Sequence, residues 1–530
     1  MERDIALLDC TLRDGGYVNN WNFGHSVITG TYKRLDKAGV DYIEVGFLDS
    51  RKKFDINRTI APDTQSYNRI FQNIVKRHAM PVAMIDFGTC DIRNIQDVAE
   101  SFIEGIRVIF KKEKIEQALP FCKEIKDKGY KLFIQAISIT AYSDLDMLQY
   151  IEKINDIEPY AFSIVDTYGL LDKKKLKNYF NLMDNNLKNN IKIGYHGHNN
   201  FQLAFSNSIE FLATDTKRDL IVDSTIYGMG KSAGNCPSEL LAMHINQQYG
   251  KNYDVNQFLE VLDTDLMSIY EQSYWGYRYN FYISAMQNCH PAYVSYLLDK
   301  KTLTVTSINE ILTNIPEEQK LLYDEEIIKK LYIDFQSKRS TDSNDLSKLK
   351  VFLDGSNILL IGPGHSIVEN AAEISKFIKD KTPIIISVNF YSEEFKPDFV
   401  FVSNSKRYGK LLDTEIRDTD YKLIVTSNIS TFDKNPDFRI NYSEIRNHKS
   451  CKSDSSLILM LSTLNKIGIN EIYLAGFDGF TDGTADYCKS SYSFGENSKF
   501  NLQLNEIIKL DLLNFKEDMS LNYITQSLYQ

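Results

Sequence analysis

Residues 5–14, IALLDCTLRD, decide how the chain is read. The apolar run IALLD passes without a break into the polar loop DCTLRDGGY, as a strand of an α/β fold passes into the loop behind it. Seven further runs repeat the pattern: YIEVGF from Tyr42, PVAMIDF from Pro81, IRVIF from Ile106, KLFIQAIS from Lys131, AFSIVD from Ala161, IKIGYHGH from Ile191 and LIVDST from Leu220. Between them lie amphipathic stretches such as DVAESFIEG and QALPFCKEIKDKG, read as helices from apolar residues at three-to-four spacing and a Gly near the end. Eight strands with crossovers in about 230 residues meet the requirement of a (β/α)8 TIM barrel. An open doubly wound sheet is the alternative.

Downstream the pattern turns helical and aromatic, as in SIYEQSYWGYRYNFYISAMQNCHPAYVSYLL, where core packing is the plain reading of the Tyr and Phe stripe. SKRSTDSNDLSK, Ser337 to Lys348, is polar enough to read as a linker. Beyond it NILLIGPGHS, PIIISVNFY, DFVFVSN, YKLIVTSN and NEIYLAGFDGF predict a second α/β domain, an open Rossmann-like sheet. The expected division is a barrel over 1–250, a helical extension over 251–336, a linker over 337–350 and a Rossmann-like domain over 351–530.

Composition narrows the function classes. With 530 residues, 43% hydrophobic and 25% charged, the chain is globular, not fibrous or natively unfolded. Sixty-one Lys and Arg against 71 Asp and Glu leave a net charge of -10, which disfavours nucleic acid and anionic membrane as partners. No apolar run approaches the ~18–20 residues that cross a bilayer. The start MERDIALLDC does not read as a signal peptide, because Glu2 and Asp4 precede a short apolar stretch. A cytoplasmic location is expected. Seven cysteines without a CxxC pair fit a reducing compartment, most of them as small core residues.

In a TIM barrel the chemistry lies at the carboxyl ends of the strands. Those ends carry Arg13 and Asp14, Glu44, Gln135 and Ser138, Asp166 and Thr167, His196 and His198, and the loop GMGKSAGN. Residues two apart on a strand share a face, so both imidazoles aim at one point. Two neutral nitrogens and a carboxylate hold a divalent metal with open positions, and Asp14 is the natural carboxylate. A pair of hydrogen-bonded histidines is the rival reading. Arg13 beside Asp14 is either a turn stabiliser or functional, with two glycines bringing the backbone close to a ligand. Glu44, set among apolar neighbours, needs a partner such as Arg13 or the metal site, or else forms a structural ion pair.

LLDCTLRDGGY, YIEVGF, HGHNN and GMGKSAGNCPSEL together resemble the DRE-TIM metallolyases, a superfamily of 4-hydroxy-2-oxovalerate aldolases, 3-hydroxy-3-methylglutaryl-CoA lyases and isopropylmalate synthases. The resemblance spans roughly residues 4 to 300 and implies a barrel holding a divalent cation (Mn, Mg, Zn or Co). It implies Asp14, His196 and His198 as ligands, Asn235 as a fourth, and Arg13 as the enolate-stabilising arginine. GHNN, TLRDGG and the lack of a cysteine between Gly228 and Asn235 resemble the 4-hydroxy-2-oxoacid aldolases more than the acyl-CoA branch. The implied partners are a pyruvate-type 2-oxoacid and an aldehyde, and homo-oligomerisation is expected of the family. The aldolases carry a histidine four residues after the arginine, where this chain has Tyr17. The base is therefore Tyr17, His290 or a metal-bound water. Tyr293, in the NCHPAY segment of the extension that completes the active site, matches a catalytic tyrosine of the aldolases or packs a helix end. Glu44 and Asp166 are expected to orient Arg13 and the ligands.

In the second domain Gly362, Gly364 and Ser366 directly follow a strand, where backbone amides cradle a phosphate. With Asn389, Asn404 and Asp478 they resemble the Rossmann-type domain of hydroxymethylpterin pyrophosphokinase-like proteins and some bacterial sialyltransferases, over about residues 355 to 490. That resemblance implies a nucleotide and a bifunctional chain serving carbohydrate or surface-polymer assembly; a nucleotide-free scaffold is the alternative. An acyl-CoA-using Claisen synthase, or a nucleotide-sugar transferase with a degenerate barrel, are the rival functions.

Overall fold

The computed structural model describes residues 3–337, 342–413, 421–429, 435–481, 487–489 and 498–530. The chain forms two compact units, Met1–Pro291 and Ala292–Gln530.

In the first unit eight parallel strands follow in order: β1 Ile5–Asp9, β2 Tyr42–Leu48, β3 Met80–Asp86, β4 Gly105–Ile109, β5 Lys131–Ala136, β6 Ala161–Asp166, β7 Lys192–Gly197 and β8 Leu220–Ser224. β1 pairs with β8, Ile5 opposite Leu220, and with β2, Leu8 opposite Tyr42, which closes the barrel. A two-residue strand, Ile60–Ala61, adds to β2. Alternation along each strand sorts the side chains. Leu7, Ile43, Ile106, Val108, Ile193, Tyr195 and Val222 pack in the larger core cluster. Ala6, Leu8, Cys10, Tyr42, Val82, Phe133, Ala161 and Ile221 form a separate apolar plug. Glu44, Arg107, Gln135, Ser163 and Asp223 share the alternation of the plug residues, and above the plug the interior becomes polar and charged.

Local signals set the crossovers. Helix Asp144–Ile157 starts on a capping box, Ser143 accepting from the Asp146 amide and Asp146 from that of Ser143. QALPFCKEIKDKG lies in helix Ile115–Asp127 and ends at Gly129. DVAESFIEG departs from its helical pattern, forming only a 3-10 turn, Val98–Glu100. Tertiary contacts outweigh propensity there: Asn68 Nδ2 donates to Glu100 O at 2.6 Å, Asn68 Oδ1 takes the Phe102 backbone amide, and Phe102 stacks on Phe71.

The second unit carries a seven-stranded, all-parallel sheet in the spatial order Phe438–Ile440, Lys422–Thr426, Phe399–Val402, Ile384–Val388, Ile358–Ile361, Glu471–Ala475, Ser520–Tyr523. The order reverses beside Ile358–Ile361, as in doubly wound sheets. Helix Ser456–Lys466 is buried along its length from Leu457 to Leu464. Two sequence boundaries move. The helical region expected over 251–336 divides after Pro291, its later part grouping with the second sheet. The expected linker over 337–350 is largely helix, Ser343–Leu353; its residues 338–341 lie outside the described residues. Leu349 and Leu353 are buried in the second core, and Asp342 and Asp345 take the amides of Asn441 and Arg439, so polar composition here reflects capping and pairing, not freedom.

Candidate metal centre and active site

Asp14 lies in the turn after β1, its amide bonded to Cys10 O at 2.8 Å. His196 is near the end of β7, and His198 sits just beyond it, in a backbone bridge with Asn235. Nε2 of His196 is 3.2 Å and Nε2 of His198 is 3.8 Å from Asp14 Oδ2. The donor atoms of all three residues lie within 4.8 Å of one another, and all three side chains are buried. Each ring is anchored through its other nitrogen: His196 Nδ1 to Asp223 Oδ2 at 2.9 Å, and His198 Nδ1 to Gly234 O at 3.2 Å. With Nδ1 as donor in both, Nε2 of each ring presents a lone pair toward Asp14 when a cation is bound.

Asn235 Oδ1 is buried and has no hydrogen-bond partner among the described residues, while its Nδ2 bonds Met229 O at 3.3 Å. A Cβ on Gly230 would run into this amide and lie 3.4 Å from Asp14 Oδ1, which puts Asn235 beside Asp14. One carboxylate, two imidazoles and an orphaned amide oxygen are a donor set that fits a divalent cation. Burial opposes ionisation of Asp14, but Arg13 and the imidazoles outweigh it and hold the carboxyl well below its usual range. Burial pushes His198 down to about 3, keeping it neutral. For His196 the bonds to Asp14 and Asp223 outweigh burial and raise it.

Behind the three side chains runs an ion network. Arg13 Nε donates to Glu44 Oε2 at 2.6 Å and Nη1 to Asp14 Oδ2 at 3.1 Å; Nη2 makes no hydrogen bond among the described residues. Glu44 Oε2 also meets Arg107 Nη1 at 3.1 Å. Arg107 reaches Asp223 and, at 3.1 Å, Gln135 Oε1, which ties it to Ser163 through Nε2. Arg107 and Asp223 were not singled out in the sequence. Their signal is a charged residue at an inward position of an otherwise apolar strand.

Gly15 and Gly16 do bring backbone close, but to protein: a Cβ would strike Thr11 O at Gly15 and the Trp21 ring at Gly16, whose indole also bonds Arg13 O. Asp166 does not touch Arg13. Its two oxygens take the amides of Leu170 and Leu171 at 2.8 and 2.9 Å, so it shapes its own loop, and burial, opposed by those amides, raises it to about 6. At the rim Tyr17 is 42% exposed overall; burial of its hydroxyl end pushes the phenol up to about 12, making it a donor and not a base at neutral pH. His290 is half-buried with its ring edge-on to Tyr168, and burial with the nearby Lys231 charge lowers it to about 4. Tyr293 falls in the second unit, where its hydroxyl bonds the carbonyls of Gln319 and Leu322 and takes the Asp324 amide. These bonds tie it to that helical segment.

Residues 4–264 match the HMGL-like family. The barrel is an HMGL-like domain. An oxaloacetate decarboxylase of Mycobacterium tuberculosis is 25% identical over 285 residues, 53% of this chain and 83% of that protein. A 4-hydroxy-2-oxovalerate aldolase of Geobacillus thermodenitrificans is 24% identical over 248 residues, 45% of this chain and 69% of that protein. Among solved structures, the N-terminal domain of a Bacteroides vulgatus protein, provisionally described as an aldolase, is 25% identical with a TM-score of 0.47, covering 57% of this chain and 99% of that one. With its HMGL-like domain the chain is an enzyme of the metal-dependent carbon–carbon lyase class.

Outside the HMGL-like domain, the phosphate cradle expected in the second unit is filled from within. Asp478 takes the Ser366 amide at 2.8 Å and the Ser366 hydroxyl, and the amides of Gly362 and Gly364 bond the carbonyls of Ala475 and Gly476. A carboxylate stands where an anion was expected to sit. Asn389 links Ser456 and the Ser403 amide, and Asn404 caps its helix through the Arg407 amide. No helix among the described residues is long and apolar enough to cross a membrane.

Proposed function

We propose that the HMGL-like domain is a divalent-metal-dependent aldolase, joining or splitting the bond between a pyruvate-type 2-oxoacid and an aldehyde. The observation that carries this reading is the meeting of Asp14 Oδ2 with Nε2 of His196 and of His198, next to an arginine whose Nη2 makes no hydrogen bond among the described residues. A divalent cation held by Asp14, His196 and His198, with Asn235 as a further donor, supplies Lewis-acid polarisation of the 2-oxoacid oxygens.

The chain's own residues do the rest. Arg13, pinned by Glu44, offers Nη2 to the oxygen on which enolate charge develops. In cleavage the 4-hydroxyl proton passes to a base, the C3–C4 bond breaks, and its electron pair becomes the enolate; a proton added at C3 completes the 2-oxoacid. His290, uncharged at neutral pH but a weak base with its imidazolium held at about 4, is the candidate side chain to accept the first proton, and Tyr17, protonated, is the candidate to donate one. The acyl-CoA alternative is disfavoured because no cysteine lies in the loop between Gly228 and Asn235, and Cys236 just beyond it is buried, with its thiol pushed up to about 12 and so poorly placed to exchange a proton.

Decarboxylation of a 2-oxo dicarboxylic acid is the second reading, favoured by the Mycobacterium relative. It passes through the same enolate and needs no base for a hydroxyl proton. The test is the manganese-loaded full chain incubated with 4-hydroxy-2-oxoacids, with oxaloacetate, and with acetyl-CoA plus a 2-oxoacid. Enzymatic pyruvate release from the first set supports the aldolase; release from oxaloacetate alone supports the decarboxylase; thiol release from acetyl-CoA overturns both.

A further inference from the structure

Arg13, Arg107 and Lys231 stand at the polar end of the barrel, and the first two are matched. Arg13 faces Glu44 and Asp14, and Arg107 faces Glu44 and Asp223. Lys231 is different. It lies in the loop after β8, its amide held by Asp14 Oδ1 at 3.1 Å, so its backbone is fixed against a metal-ligand candidate. The side chain is half-buried, with Nζ 5.6 Å from the centre of the Tyr17 ring. Among the described residues no carboxylate lies within 4.0 Å of its ammonium and nothing accepts a hydrogen bond from it. A half-buried ammonium without a counter-ion is costly, and a ring face at this distance offsets only part of that cost. Proteins keep such a charge where a ligand brings the anion.

We propose that Lys231 binds a second anionic group of the substrate, a carboxylate or a phosphate, at the end remote from the 2-oxoacid carboxylate. This rests on the reading of the HMGL-like domain as acting on 2-oxoacids, and narrows the substrate to one with two anionic ends. The surroundings agree. Tyr17 and Lys231 are in ring contact, and the Lys231 charge reaches His290, so the ammonium stands among the groups proposed to move protons. Burial lowers the Lys231 ammonium, with Asp14 opposing and Arg13 adding to the shift, as for a cation lacking a near anion. The loop is stiff: Asn235 and Gly234 amides bond Gly228 O and Lys231 O at 3.0 Å, and the Asn199 amide bonds Gly234 O. A lysine presented this way is preorganised to discriminate.

The experiment is calorimetric titration of the manganese-loaded full chain with pyruvate, 2-oxoglutarate and phosphonopyruvate, in wild type, Lys231→Gln and Lys231→Arg. The proposal expects wild type to bind one of the two doubly anionic probes at least about tenfold tighter than pyruvate, as a charge-assisted hydrogen bond provides. Lys231→Gln should abolish that preference while pyruvate affinity changes little, and Lys231→Arg should restore part of it. Preference for 2-oxoglutarate assigns a carboxylate, and preference for phosphonopyruvate a phosphate-like group. Equal affinity for all three in wild type, or equal weakening of all three in Lys231→Gln, overturns the assignment while leaving the 2-oxoacid reading intact. Failure of wild type to bind any of the three overturns both.

Discussion

Asp223 stands behind His196. Its Oδ2 bonds His196 Nδ1 at 2.9 Å and is held in turn by Arg107, so the imidazole can turn only Nε2 toward Asp14. A carboxylate behind a ligating imidazole fixes its tautomer and raises its basicity. Asp223→Asn is expected to lower affinity for manganese about 10–100-fold. Competition with a fluorescent chelator checks it; unchanged affinity would show that Asp223 serves only to neutralise Arg107.

Arg13 is held at two of its nitrogens, a geometry that a lysine ammonium cannot reproduce. Arg13→Lys is expected to reduce kcat by about 10²–10³ through loss of charge stabilisation. Manganese content should stay at the wild-type level, which separates loss of Arg13 chemistry from loss of the metal site; elemental analysis beside steady-state kinetics reads both.

Glu44 is fully buried and serves two arginines with one oxygen. Glu44→Gln leaves Arg13 and Arg107 facing each other with less compensating charge. A loss of about 3–5 kcal/mol in unfolding free energy is expected, the cost of breaking a buried pair by removing one partner. Urea denaturation of the first unit's transition measures it, and a loss below 1 kcal/mol, roughly that of a surface pair, contradicts the network.

Asp9 offers a pH test away from the metal ligands. Burial raises it from 3.8 to about 6, against the bonds from Ser238 and Thr11. A folded-state value above the unfolded one means that the protonated form favours folding. The contribution is complete below the unfolded value and is lost as pH rises through about 6. Two units correspond to roughly 3 kcal/mol. Asp9→Asn, neutral throughout, should flatten this fall in stability between acid and neutral pH, as read by denaturant midpoints at each pH.

Much of the barrel was legible because apolar runs of strand length recur with polar residues at their carboxyl ends. All eight strands lie where their runs predict, and the two-residue spacing of His196 and His198 pointed both rings one way. Arg107 and Asp223 escaped notice because one charge in IRVIF or LIVDST looks like an outward residue until the barrel closes. Phe438–Ile440 and Ser520–Tyr523 were missed as strands because they are short and sit in polar surroundings. The polar segment before the second sheet read as linker because its anchors, Asp342 and Asp345, work through backbone amides far along the chain. Asp478 looked like a ligand-binding residue, and only the fold reveals that Ser366 is its partner.

Manganese titration of the purified full chain, in wild type and in Asp14→Ala and His198→Ala, tests the account at its centre. It predicts one tightly bound equivalent per chain in wild type and none in either variant. Stoichiometric binding that survives both substitutions, or no binding by wild type, contradicts it.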